Sequence, residues 1–263
     1  MFPIVHTYAN KRLALQNKLK LDQTQIKLYI LGGIMPDLAI GMGLSRNYGH
    51  QMGKEFYYWC EQNAKDALPF AYGAWLHGTD PAGLDYYSDE HWHGGNGWCF
   101  QKCTPYMNMV EKACHIPKEW ALWKGHNFIE MAMELVTCDL EPTIPEELVE
   151  ARLDHEAVST ADALLHLFAK TESGLPTEMY HKVPAIFALE GTTAHTLAER
   201  YKTQLKRMHQ IENANASAIA EIIQTIKEEE GKNYIPWLDE ATDFMQKEIK
   251  RVREENHGEK TIG

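Results

Sequence analysis

The sequence predicts an all-α protein, and three observations support this class. Apolar residues recur mainly at the helical spacing of three or four positions, and runs of alternating β-branched residues are few. Many segments are rich in Ala, Leu, Met, Glu and Lys, which favour helices. A length of 263 residues allows one large helical domain, or a domain with a helical extension.

Two helices are predicted near the start of the chain. The first opens at or just after His6, and the second follows a cap at Asp22. The second helix is predicted to stop at the Gly32-Gly33 pair and Pro36, which interrupt its pattern. Asp37 is therefore expected at a helix break, where its carboxylate can point into a cleft.

The next elements carry two further histidines. His50 follows a glycine-containing loop and precedes an aromatic run, so we expect it at an element boundary. Leu68–His77 is apolar throughout, which predicts a buried helix that Gly78 and Pro81 end. Residues 78–97 are then dense in Asp, His, Trp, Tyr and Gly, which is typical of the wall of a site.

A later helix carries a spaced histidine and carboxylate. Pro105 and Pro117 each predict a helix start, and the second of these helices contains His126 and Glu130. A helix sets residues four positions apart on one face, which suits a divalent metal ion.

The chain changes character after residue 141. From residue 146 onward it is amphipathic, highly charged helix, and its histidines lack matching carboxylates in apolar contexts. We interpret these histidines as structural or surface residues. We predict that residues 1–141 form a helical core that contains the metal site. Residues 142–263 are predicted to form a C-terminal helical segment that packs on the same domain.

Composition limits the compartment and the partners. The formal charge of −11 argues against stable nucleic-acid binding, and no apolar run is long enough to span a bilayer. Without a recognisable secretion signal, a cytoplasmic protein is predicted, and its five cysteines are expected to be thiols. Cys99, Cys103 and Cys114-His115 form a loose alternative pattern for zinc.

Histidines and carboxylates of the first half are the candidate metal ligands. Imidazole and carboxylate are the usual ligands of catalytic zinc when cysteine is excluded, and a cluster of several ions needs a bridging carboxylate. Along the chain the candidates are His6, Asp37, His50, His77, Asp80, Asp85, His91, His93, His126 and Glu130.

This ordered set resembles the ligand series of the zinc-dependent phospholipase C family, whose superfamily also includes secreted single-strand-specific nucleases. The likeness covers about the first 130 residues and rests on Gly-Gly-Ile-Met-Pro-Asp37, Gly-Ala-Trp-Leu-His77 and His126-Asn-Phe-Ile-Glu130. It implies a phospholipase C/nuclease-like fold of several helices, here with extra C-terminal helices, and a three-zinc cluster in a cleft.

The resemblance also implies a role for each ligand. Asp37 would orient or deprotonate the attacking water. The implied ligands are Asp37, His50, His77 and Asp80 for one zinc, Asp80, His6 and the amine of Met1 for a second, and His91, His126 and Glu130 for a third.

Two positions depart from the family pattern. The family aspartate usually follows its histidine by four residues, whereas Asp80 follows His77 by three and precedes Pro81, which disfavours helix. Asp85 is the alternative to Asp80, and His93 is the alternative to His91.

These features predict a zinc-dependent phosphoester hydrolase with two or three zinc ions. Its substrate would be a phosphate-ester small molecule or a phospholipid headgroup. One alternative is a non-catalytic helical protein that binds metal for stability and partners through its acidic C-terminal helices. Another is a set of tryptophans that stacks on a ligand, although aromatic residues at such spacing are usually core. Metallohydrolases built on an adjacent His-Asp pair are disfavoured, because no histidine here precedes aspartate.

Overall fold

The computed structural model describes residues 3–41, 45–171 and 191–259, and it confirms the all-α class. These ranges contain twelve α-helices and no β-strand. The helices are α1 (Pro3–Gln16), α2 (Gln23–Gly41), α3 (Arg46–Gln51), α4 (Gly53–Asn63), α5 (Leu68–His77), α6 (Trp98–Cys103), α7 (Met107–Cys114), α8 (Ala121–Leu140), α9 (Ile144–Leu153), α10 (His155–Thr171), α11 (Ala194–His209) and α12 (Ala216–Glu259).

The start of α2 follows the prediction, but its predicted break is wrong. Asp22 caps the helix, since its Oδ1 accepts the Gln25 N–H at 2.8 Å. The helix then continues through Pro36, so Asp37 lies inside α2. Met35 and Leu38 beside the proline are fully buried. Burying such side chains contributes roughly 1.5–3 kcal/mol each, which offsets the roughly 3 kcal/mol that an internal proline costs.

Glycines let α2 and α5 cross with their backbones in contact. A Cβ added at Gly32 would lie 1.9 Å from the Phe70 carbonyl oxygen, and one at Gly73 would lie 2.3 Å from the Tyr29 carbonyl oxygen. Any larger residue would push the two helices apart. Gly32 therefore acts at this crossing and does not end α2.

The buried apolar residues form two groups. One lies among α2, α4, α5, α9 and α10 and includes Phe56, Phe70 and Phe168. The other joins α1 and α8 to the C-terminal helices α11 and α12, with Phe128, Tyr201 and Tyr234 among its members. The C-terminal helices thus share a core with helices of the first half. In the described ranges, no helix has the length and apolar character needed to cross a membrane.

A buried carboxylate on α8 anchors the start of α1. The Oε1 atom of Glu134 accepts the Val5 N–H at 2.9 Å, which satisfies one of the backbone donors that a helix start leaves free. Burial raises the pKa of Glu134 to about 8, although this hydrogen bond opposes the shift. The contact fixes the turn of α1 that carries His6.

We predict that Gly73→Ala lowers the free energy of unfolding by about 1–3 kcal/mol, because the methyl group would press on the Tyr29 carbonyl oxygen. Denaturant unfolding followed by circular dichroism measures this. Gly231→Ala on α12 is the matched control, since its Cβ would meet only the side chain of Val136, at 3.2 Å. Equal unfolding midpoints for Gly73→Ala and the wild type would contradict the close crossing.

Candidate metal centre

Three histidines and two aspartates from different elements meet in one buried cluster. It comprises His6 of α1, Asp37 of α2, His50 of α3, His77 of α5 and Asp85 from the loop after α5, and we call it the histidine cluster. Each of these side chains belongs to a residue at most 7% exposed. The resemblance implied His6, Asp37, His50 and His77 as ligands, and the fold brings these four together.

Asp85 lies at the centre of the cluster. Its Oδ1 is 3.1 Å from His6 Nε2, and its Oδ2 is 2.9 Å from His50 Nε2 and 3.6 Å from His77 Nε2. Asp37 lies farther out, with Oδ1 at 3.7 Å from His50 Nε2 and 4.0 Å from His77 Nε2. The two oxygens of Asp85 therefore face different histidines, as the oxygens of a bridging carboxylate would.

Backbone carbonyl groups orient two of the imidazole rings. His50 Nδ1 lies 2.9 Å from the Arg46 oxygen, and His77 Nδ1 lies 2.6 Å from the Gly33 oxygen. A carbonyl oxygen can only accept, so both Nδ1 atoms carry the proton and both Nε2 atoms face the aspartates. A hydrogen bond from the second ring nitrogen to a carbonyl is the usual support of a metal-ligating histidine.

Two of the three imidazole nitrogens that face Asp85 have no hydrogen bond to a described residue. Among the described residues, neither His50 Nε2 nor His77 Nε2 has a hydrogen-bond partner, although both atoms are buried. His50 Nε2 lies 2.9 Å from Asp85 Oδ2 without the direction that a hydrogen bond requires, and His77 Nε2, at 3.6 Å, lies beyond hydrogen-bond distance. Buried polar atoms without partners are rare, and here two nitrogens and a carboxylate point toward a common centre. This donor set fits a divalent metal ion.

The charges of the cluster also favour a cation. Burial alone would raise the pKa of Asp85, but His77, His50 and His6 hold it well below its usual value. Burial likewise opposes ionisation of Asp37, yet His77 and His50 help to bring its pKa to about 2. Burial and the stacked ring of His77, with ring centroids 3.6 Å apart, lower the pKa of His6. Burial also opposes a charge on His77, but Asp85 and Asp37 outweigh it, so the pKa of His77 is instead raised. The two aspartates and His6 therefore hold the protonation states that metal binding requires, whereas His77 would release a proton when a cation binds.

Asp80 requires a correction, because it lies outside the cluster. It is exposed, whereas Asp85 occupies the central position. The reason is the path of the chain after α5. The chain turns at Gly78 and folds back on itself, and a hydrogen bond from the Gly83 N–H to the Gly78 oxygen, 3.0 Å long, closes the turn. A residue three positions after His77 lies on the outside of this turn, and Asp85 returns on the inside.

The two surface histidines of the loop also stand apart. His91 and its alternative His93 are both exposed, and His93 Nε2 pairs with Glu240 at 3.2 Å. His126 is buried and stacks on Phe100, with ring centroids 4.4 Å apart, but among the described residues it joins no group of potential metal ligands. The predicted trio of His91, His126 and Glu130 therefore does not form here.

Glu130 instead lies with two residues that were not predicted as its partners. The potential ligand atoms of Asp89, Cys99 and Glu130 all lie within 4.8 Å of one another, and we call this trio the Asp89 group. Asp89 sits on the π-helical turn Tyr86–Glu90, four positions after Asp85. The sequence therefore contains a signal for Asp89, because residues four positions apart lie on one face of a helix.

The remaining candidates are distributed as follows. Met1 lies outside the described residues. All five cysteines are free thiols, as predicted. The alternative zinc pattern does not assemble, because Cys103 donates to the Phe100 oxygen at 3.4 Å and lies in no ligand group among the described residues. His195 is exposed, and His209 contacts Lys124 at 2.6 Å, so neither joins the clusters.

Arg46 connects the histidine cluster to the Asp89 group. Its guanidinium lies 3.2 Å from Asp85, 2.7 Å from Asp89 and 3.4 Å from Glu90. The side chain is 37% exposed, so a cationic group stands between the buried clusters and solvent. Such a group can pair with an anionic ligand that approaches from outside.

Comparisons of this chain with protein-family models, with curated proteins and with solved structures find no match. The resemblance to the phospholipase C family therefore stays a prediction.

We predict that Asp85→Asn lowers the zinc content by about one equivalent or more, because an amide cannot supply a bridging charge between His6 and the other two histidines. Elemental analysis of protein purified with added zinc measures this. Asp80→Asn is the matched control and should keep the wild-type zinc content, since Asp80 is exposed. Equal zinc loss in the two variants would show that the site is misplaced.

Proposed function

We propose that the chain is a zinc-dependent phosphoester hydrolase and that the histidine cluster holds its metal. The observation that carries the proposal is the convergence of three imidazoles on two ionised aspartates, with two buried Nε2 atoms that have no hydrogen bond within the described part of the chain. Asp37, His50, His77 and Asp85 would hold one ion. His6 and the second oxygen of Asp85 would contribute to another.

When bound, zinc would acidify water and withdraw charge from the phosphate group. Asp37 has a pKa of about 2, so it is ionised at neutral pH and is a weak base. This favours a role in which Asp37 accepts a hydrogen bond from the attacking water and orients it, over one in which it keeps the proton.

The proposed substrate class is supported by one charged group beside the cluster. The Arg46 guanidinium contacts Asp85 and Asp89 and is 37% exposed, and a guanidinium suits the non-bridging oxygens of a phosphate ester. A phosphate-ester small molecule or a phospholipid headgroup therefore fits the proposal. The net charge of −11 disfavours stable contact with a nucleic-acid backbone. A cytoplasmic location belongs to the same proposal.

A non-catalytic metal-binding protein is the alternative, and one observation favours it. A cavity that described residues line beside the cluster has a volume of about 20 Å³, room for one water molecule but not for a substrate. Trp237 of α12 lines this cavity. Under this alternative, the ions would stabilise the helices and the C-terminal segment would serve as the interaction surface.

The two functions differ in what Asp37→Asn changes. We predict that this variant hydrolyses a chromogenic phosphate mono- or diester about 100-fold more slowly than the zinc-loaded wild type, while losing less of its zinc than of its turnover. The amide keeps the shape of the carboxylate but loses its charge. Steady-state rates and elemental analysis on the same samples measure both effects.

Asp80→Asn serves as the control in this assay and should retain wild-type turnover. If fully zinc-loaded wild type cleaves neither phosphate esters nor phospholipids, and Asp37→Asn changes only the unfolding temperature, the non-catalytic alternative is the better account.

A further inference from the structure

The Asp89 group is assembled by the tertiary fold from three separate elements. Asp89 comes from the π-helical turn, Cys99 from α6 and Glu130 from α8. Residues with metal-binding atoms thus meet next to the histidine cluster without being part of it. Sequence spacing does not produce this arrangement, since 31 positions separate Cys99 from Glu130.

A cavity next to this group has the size of a single small ligand. Its volume of about 20 Å³ accommodates one atom the size of a water molecule. Its polar lining side chains are His6, Ser88, Cys99, Glu130 and Trp237. Two of these residues carry buried ring nitrogens, His6 Nδ1 and Trp237 Nε1, which have no hydrogen-bond partner among the described residues.

The thiol of Cys99 is also buried beside this cavity. Cys99 is 2% exposed, and its sulfur lies within 4.8 Å of a carboxylate oxygen of both Asp89 and Glu130. Cys103, one helical turn later, instead donates to the Phe100 oxygen at 3.4 Å. The two cysteines of α6 therefore differ, and only Cys99 lies within reach of two carboxylates.

Burial and nearby carboxylates disfavour the ionised forms of Cys99 and Glu130. Burial and the presence of Asp89 raise the pKa of Glu130 well above its usual value, and burial with both carboxylates does the same to the pKa of Cys99. Arg46 neutralises Asp89, Asp85 and Glu90, but among the described residues it forms no ion pair with Glu130. Glu130 and Cys99 are thus disfavoured as anions in the absence of a cation, and a divalent ion beside them would favour their ionised, metal-binding forms.

We propose that Cys99 is a thiolate ligand of a divalent metal ion that Asp89 and Glu130 hold with it. Zinc and cobalt both accept thiolate together with carboxylate. On binding, the sulfur–hydrogen bond breaks, the proton passes to solvent and the sulfur lone pair binds the metal. This deepens the proposed function, on which it rests, by giving the third ion a soft ligand that the family pattern lacks.

A thiolate ligand has a spectroscopic signature that does not depend on activity. Titration of wild-type protein with cobalt(II) should produce a thiolate-to-cobalt charge-transfer band in the near ultraviolet. Cys99→Ser should abolish this band, and the matched control Cys103→Ser should keep it, because the Cys103 thiol is engaged with a backbone carbonyl. Glu130→Gln offers a second test if Cys99→Ser does not fold, and it should weaken the cobalt binding that produces the band.

The outcomes separate this proposal from the one on which it rests. Cobalt bound with visible bands but without the charge-transfer band would overturn thiolate ligation and leave the histidine cluster intact as a metal site. A charge-transfer band that survives in Cys99→Ser would assign it to another cysteine and overturn the proposal. Protein that binds no cobalt at all would overturn both proposals. Retention of the band in Asp85→Asn would support a separate ion at Cys99.

Discussion

The close crossing of α2 and α5 is the contact on which the candidate metal centre depends. Gly32 and Gly73 let the two backbones touch, and this brings the Gly33 carbonyl to His77 Nδ1 at 2.6 Å. The same crossing sets Asp37 opposite His77. The end of α5 is then tied to α3, because the Thr79 N–H donates to the His50 oxygen at 2.8 Å. One backbone contact therefore positions donors from three helices.

Burying so many ionisable groups is costly unless something compensates. Asp37 and Asp85 are ionised and buried, and buried charges generally need a partner that is well aligned. The histidines supply part of the compensation, but two of their nitrogens have no hydrogen bond among the described residues. A bound cation would satisfy these atoms and the carboxylates together. Metal binding would then contribute to the stability of the fold as well as to chemistry.

The sequence predicts single helices and their caps better than it predicts which distant residues come into contact. The helix Leu68–His77 and the Asp22 cap follow from residue patterns, and both are confirmed. The break at Pro36 is wrong, because burial on both sides of a proline is a tertiary effect. The choice between Asp80 and Asp85 depended on the path of a loop, which spacing does not reveal. The sequence does not predict Cys99 as a partner of Glu130, because only the packing of α6 on α8 brings the two residues together. The phosphoesterase activity stays a prediction.

The most direct test of the metal centre is crystallography of zinc-loaded protein with data collected on both sides of the zinc absorption edge. The account predicts an anomalous peak about 2 Å from the Nε2 atoms of His50 and His77 and from a carboxylate oxygen of Asp85. It also predicts that the Nδ1 atoms of both histidines keep their backbone carbonyl partners. Full zinc loading with no peak in the cluster, and with the histidines bonded directly to Asp85, would contradict it.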